Sequence, residues 1–144
     1  MIVHRFMSNL EYQRLLKGDL MKNTTVHAQL SMSESVGFCF FTEPPEEAIH
    51  WLSGNVTTDW CVTFDIPEQM LTKSRARYRD PEKDKSILGK PVTKWRTEWC
   101  TQEYSIHTVR VINSTDQWAH YTEDLKKEFV NLFGPLGQLL LKMI

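Results

Sequence analysis

At 144 residues and 16.9 kDa, with 41% apolar residues, 24% charged residues and a formal net charge of −1, the chain has the size and composition of one folded domain, away from the disordered class. Its longest apolar runs, Leu139-Leu140-Leu141 and Phe38-Cys39-Phe40-Phe41, fall far short of the roughly 20 residues a spanning helix needs, which predicts no membrane segment. Residues 1–8 lack the basic-then-apolar pattern of a secretory signal, and the sequence pI of about 6.5 disfavours broad nucleic-acid binding, so a cytoplasmic protein is expected.

Ile2 to Phe6 reads as a first strand. Ser8 and Glu11 follow as a capping box, each side chain expected to satisfy a backbone N–H at the start of a helix that runs to about Lys17. Leu10, Tyr12, Leu15 and Leu16 give that helix an apolar side, and Gly18 is suited to end it. Val36 to Phe41 is β-favouring, and Pro44-Pro45-Glu46-Glu47 then starts a second helix with Ala48, Ile49, Trp51 and Leu52 on its buried face. Thr58 to Ile66 alternates with Trp60, Val62, Phe64 and Ile66 on one side, and Pro67 closes that strand.

From residue 73 to residue 96 cations outweigh carboxylates, and Pro81, Gly89 and Pro91 interrupt any helix, which predicts a long basic loop. Glu98 to Ile112 holds the next β material, the late strand, with Tyr104 to Ile112 strongly alternating. Tyr121 to Phe133 has helical spacing up to Gly134-Pro135, and Leu136, Leu139, Leu140 and Met143 form a last helical stripe. The expected architecture is a single α+β domain over 1–144, a small twisted mixed or antiparallel sheet with helices packed around it.

Cys39, Cys61 and Cys100 are widely spaced among aromatic and β-branched neighbours, which suits buried reduced thiols in a reducing cytosol. The five histidines are scattered and no Cys-x-x-Cys pair occurs, so no metal is expected. A Cys100 nucleophile served by His107 or His50 is the thiol-hydrolase pattern, here without an activating sequence context. The segment from Ser74 to Arg79 alternates Arg75, Arg77 and Arg79 with Tyr78, and guanidinium groups match phosphate oxygens through paired N–H donors. With Trp95 and Trp99 nearby, these residues form a candidate phosphate or partner surface, while the other tryptophans are expected in the core.

Three segments resemble the ADP-ribosyltransferase-like fold family: Val3-His4-Arg5-Phe6-Met7-Ser8, Gly37-Phe38-Cys39-Phe40-Phe41 followed by Glu46-Glu47-Ala48 and Trp51, and Thr101-Gln102-Glu103-Tyr104. The resemblance implies NAD as substrate, with His4 or Arg5 holding the dinucleotide, Phe40 or Phe41 stacking on nicotinamide, and Glu103 as the catalytic carboxylate. A fixed carboxylate stabilises positive charge developing on the ribose as the glycosidic bond breaks. The alternative is a non-enzymatic binding or inhibitor protein, such as mobile elements encode. It would engage a nucleotide or protein ligand through the basic segment and Trp95/Trp99, as a monomer or small homo-oligomer.

Overall fold

A computed structural model describes residues 1–25, 34–52, 56–83, 93–121, 123, 124 and 127. Among the described residues eight strands and two short α-helices are named, an α+β fold with antiparallel pairing throughout the named strands. Strand β1 (Ile2–Met7) leads through helix α1 (Asn9–Leu16) to the two-residue β2 (Met21–Lys22) and to β3 (Phe38–Phe40). Helix α2 (Pro45–Ala48) runs into a 3-10 turn over Ile49–Trp51, and β4 (Trp60–Asp65), β5 (Thr72–Arg79) and β6 (Thr93–Thr101) follow. The short β7 (Glu103–Tyr104) and β8 (Arg110–Thr115) complete the described strands. Among the described residues no helix is long and apolar enough to cross a membrane.

Two three-stranded sheets, in the orders β1-β4-β8 and β3-β6-β5, meet at one isolated bridge between His4 and Phe41. There the His4 amide donates to the Phe41 carbonyl at 2.8 Å and the Phe41 amide returns the bond at 2.9 Å. The joint follows from pleating. Phe38 and Phe40 turn inward to pack edge-on against Tyr104, while Cys39 and Phe41 take the other side of the strand and Phe41 stacks on Phe6. One cluster, including Val3, Leu15, Phe40, Val62, Phe64 and Tyr104, fills the space beneath both sheets. A smaller one gathers Phe6, Ala48, Ile49, Trp51, Leu52 and Cys61 under α2.

Ser8 caps α1 as expected, its Oγ accepting from the Glu11 amide, a contact worth about 1 kcal/mol. Glu11 does not complete the box, because its carboxylate turns instead to Arg5. Tyr12 and Leu15 are buried, but Leu10 and Leu16 are 74% and 50% exposed, so the buried side of the helix is narrower than its apolar residues suggest.

The expected basic loop over 73–96 is corrected by the structure at residues 73–79 and 93–96, while 84–92 lie outside the described residues. Thr72–Arg79 and Thr93–Thr101 are the two arms of an antiparallel ladder, paired from Thr72 with Cys100 to Arg79 with Thr93. Alternating cations give such a strand one solvated face, and the small or aromatic residues between them, Ala76 and Tyr78, face the protein. The late strand is also corrected. Ser105 stops it at Tyr104, where its Oγ accepts from the His107 amide and its carbonyl takes the Thr108 hydroxyl, turning the chain before β8. Most of the helix expected over 121–133, and all of the stripe from Leu136 to Met143, lie outside the described residues.

Gly37 holds β3 at its start with φ +81°, and a Cβ there would meet the Thr101 carbonyl oxygen at 2.3 Å and the Asn23 carbonyl at 2.9 Å. Gly37→Ala therefore adds a clash to an unfavourable backbone angle. We expect a loss of more than about 1 kcal/mol in urea unfolding, and an unchanged midpoint would contradict this packing.

Candidate functional site

Arg5 leaves β1 and crosses to β3. Its Nε and Nη2 donate to the two Glu11 carboxylate oxygens at 2.7 and 2.8 Å, while Nη1 donates to the Cys39 carbonyl at 3.1 Å. The guanidinium also lies 5.2 Å from the centre of the Phe38 ring. Burial works against its charge, but the Glu11 hydrogen bonds and carboxylate overcome that cost and hold its pKa above the ordinary value. The Tyr104 hydroxyl donates to the same carboxylate at 3.4 Å.

His4 beside it is half-buried, its Nδ1 2.7 Å from Thr63 Oγ1 and its ring 5.6 Å from Phe41. Burial lowers its pKa, which favours the neutral ring. The two candidate stacking residues separate. Phe40 is 1% exposed between Phe64 and Tyr104, so its expected contact with a cofactor is corrected to a core role, whereas Phe41 is only partly buried.

Glu103 is exposed on β7, opposite Lys22. Among the described residues its carboxylate has no hydrogen-bonding or ionic partner. It lines a cavity of about 770 Å³ together with Lys22, Glu34, Ser74, Cys100 and Thr101. None of His4, Arg5, Phe40 or Phe41 lines that space.

The fixed carboxylate in this region is Glu98, which the sequence reading passed over. It is 5% exposed, and its Oε2 accepts from Ser35 Oγ at 2.5 Å while Oε1 accepts from the Tyr78 hydroxyl. Burial and the Glu98 charge push the Tyr78 phenol well above its usual pKa, so it stays a donor. By strand alternation Glu98 shares a face with Cys100, which lines the cavity, and register sets Ser74 opposite Glu98 and Cys39 opposite Cys100. Donor atoms of Cys39, Glu98 and Cys100 lie within 4.8 Å of one another, a group that strand register assembles and linear spacing hides. The signal available in the sequence was Glu98 itself, an acidic residue at a position of β6 that alternation turns inward.

The groups around Cys100 are Cys39, Ser35 and Glu98. His107 lines a different cavity with Asp65 and Arg110, and His50 belongs to the 3-10 turn, so neither expected base serves this thiol.

On the other face of β5 and β6 the cations lie on tryptophans. Lys73 Nζ is 5.9 Å from the Trp99 ring centre, and Arg75 and Arg77 lie 4.7 and 5.1 Å from that of Trp95. Arg75 also pairs with Glu34 at 3.0 Å in an exposed position. Tyr78 is not part of this surface, since it faces Glu98.

No protein-family model, curated protein or solved structure matches the chain.

The Arg5–Glu11 pair is largely shielded from water, with side-chain exposures of 18% and 16%. Removing one partner strands the other charge. Arg5→Leu is expected to cost about 3–5 kcal/mol in urea unfolding and Arg5→Leu/Glu11→Leu clearly less; equal losses would show that the pair does not act as a unit.

Proposed function

We propose that the chain is an ADP-ribosyltransferase-like protein that binds NAD beside the β3–β6 face, with Glu98 rather than Glu103 as the carboxylate opposite the ribose. The observation that carries this reading is the meeting of the three resembling regions. His4 in β1 bridges Phe41 at the end of β3, Arg5 reaches the Cys39 carbonyl, and Phe38 pairs with Thr101, where the third region begins; Glu98 lies outside that region, three residues earlier on β6.

The chemistry favours Glu98 on rigidity. When the bond between nicotinamide and ribose breaks, its electron pair leaves with nicotinamide, and positive charge grows on the sugar carbon until an acceptor or water attacks. A carboxylate already oriented by Ser35 and Tyr78 stabilises that charge without reorganising, whereas an exposed carboxylate such as Glu103 is solvated and unfixed. Phe41 is the remaining aromatic for nicotinamide, since Phe40 is buried. The cavity of about 770 Å³ beside Cys100 is within the range of small-molecule sites, and it is lined by Glu103 but by neither Phe41 nor Glu98. Arg5, committed to Glu11, acts here by holding β1 against β3.

NAD at millimolar concentration should raise the melting temperature, and Glu98→Gln should keep that shift while abolishing nicotinamide release. Glu103→Gln should leave release intact. No thermal shift with the wild-type protein removes the reading, and loss of turnover in Glu103→Gln alone returns the role to that residue.

A second reading is favoured by the cation–tryptophan ladder on β5 and β6, which suits a non-enzymatic binding protein with an anionic partner. Retention on immobilised ATP or polyglutamate should then fall severalfold in Arg75→Ala/Arg77→Ala and at raised salt. Retention equal to wild type would leave the ladder a structural feature only.

A further inference from the structure

Strands β3 and β6 set Cys39 and Cys100 directly opposite each other, with their sulfurs 3.1 Å apart. Opposed residues in an antiparallel pair have Cα atoms about 4.5–5.5 Å apart, inside the span of about 4.4–6.8 Å that a disulfide bridges. Closing the bond therefore calls for a sulfur approach of roughly 1 Å, within reach of side-chain rotation.

We propose that Cys39 and Cys100 form a redox-reactive dithiol, closed to an intramolecular disulfide by exchange with a low-molecular-weight disulfide, with Cys100 attacking first. Cys100 contributes to the wall of the cavity of about 770 Å³, so a small reagent approaches from that side, although only 2% of the residue is exposed and Cys39 is the less buried of the two. The thiol–thiol contact pulls Cys100 below the usual cysteine range and pushes Cys39 above it, which divides the labour between attacking and resolving sulfurs. Cys61 is as buried as Cys100 but stands apart from the pair. It lies in the core cluster under α2, and burial pushes its pKa up to about 12, so it serves as an internal reference.

The Cys100 thiolate attacks one sulfur of the reagent, forming a mixed disulfide and expelling a thiolate that takes up a proton. Cys39 then loses its proton and attacks Cys100 Sγ, expelling the second thiolate. Two protein thiols give up two electrons, and one small disulfide becomes two thiols. The new bond would tie β3 to β6 at a position two residues from Glu98, but the inference stands on the sulfur geometry alone, whatever ligand the cavity takes.

The reduced protein is equilibrated with hydroxyethyl disulfide, denatured, alkylated and weighed. Wild-type protein should lose two hydrogens and present Cys61 as its one alkylated cysteine. Cys39→Ser should trap mercaptoethanol on Cys100, and Cys100→Ser should react more slowly, on the order of tenfold. Three alkylated cysteines in wild-type protein would overturn the proposal without recourse to any variant. Adduct formation in Cys100→Ser as fast as in Cys39→Ser would overturn the order of attack.

Discussion

Arg5 and Glu11 make the contact on which the arrangement around β3 depends. Two charges taken out of water cost several kcal/mol each, and only close, well-directed bonds return that cost. Here the return is a bidentate pair with a third donor spent on the Cys39 carbonyl and a tyrosine hydroxyl on the carboxylate. One interaction thus joins β1, α1, β3 and β7. It also explains why the helix start has a single cap: the same carboxylate cannot serve both the Ser8 amide and a guanidinium six residues earlier.

The position of β3 has a second effect. Once Cys39 stands opposite Cys100, the side of β6 that carries Cys100 is fixed, and Glu98 comes under Ser35 and beside Tyr78. A buried carboxylate left with unpaired oxygens would be costly, so both hydroxyls stabilise the fold as well as orient the acid. Glu103 lies beyond the end of the same ladder with its side chain in water. Two acids five residues apart therefore differ in kind, one held and dry, the other solvated.

Local chemistry made several elements legible in the sequence. Ser8, the paired prolines before Ala48 and the alternation from Val62 to Ile66 each act over a few residues, and the structure has a capped helix, a proline-started helix and a strand there. The segment from 73 to 96 misled because charge was read as loop. Arginines at every second position are what a strand with one wet face requires, and the distinction depends on Trp95 lying opposite Arg77 and Trp99 opposite Lys73. His4, Arg5 and Phe41 fall where β1 and the end of β3 carry recognisable local patterns, and the structure brings them together away from the cavity that Glu103 lines. Glu98 and the Cys39–Cys100 pair were not legible, since they arise from the register between segments about 60 residues apart, and no periodicity encodes register over that range.

Among the described residues strand β5 closes one side of its sheet, paired with β6 alone in the strand order. An uncovered strand offers its amides and carbonyls to any other extended chain, the route by which small β proteins stick to one another. Lys73, Arg75 and Arg77 stand along this border, and the Glu34 amide already occupies the Arg75 carbonyl. A second molecule adding here in register would bring like charges together, which opposes edge-to-edge pairing of that kind.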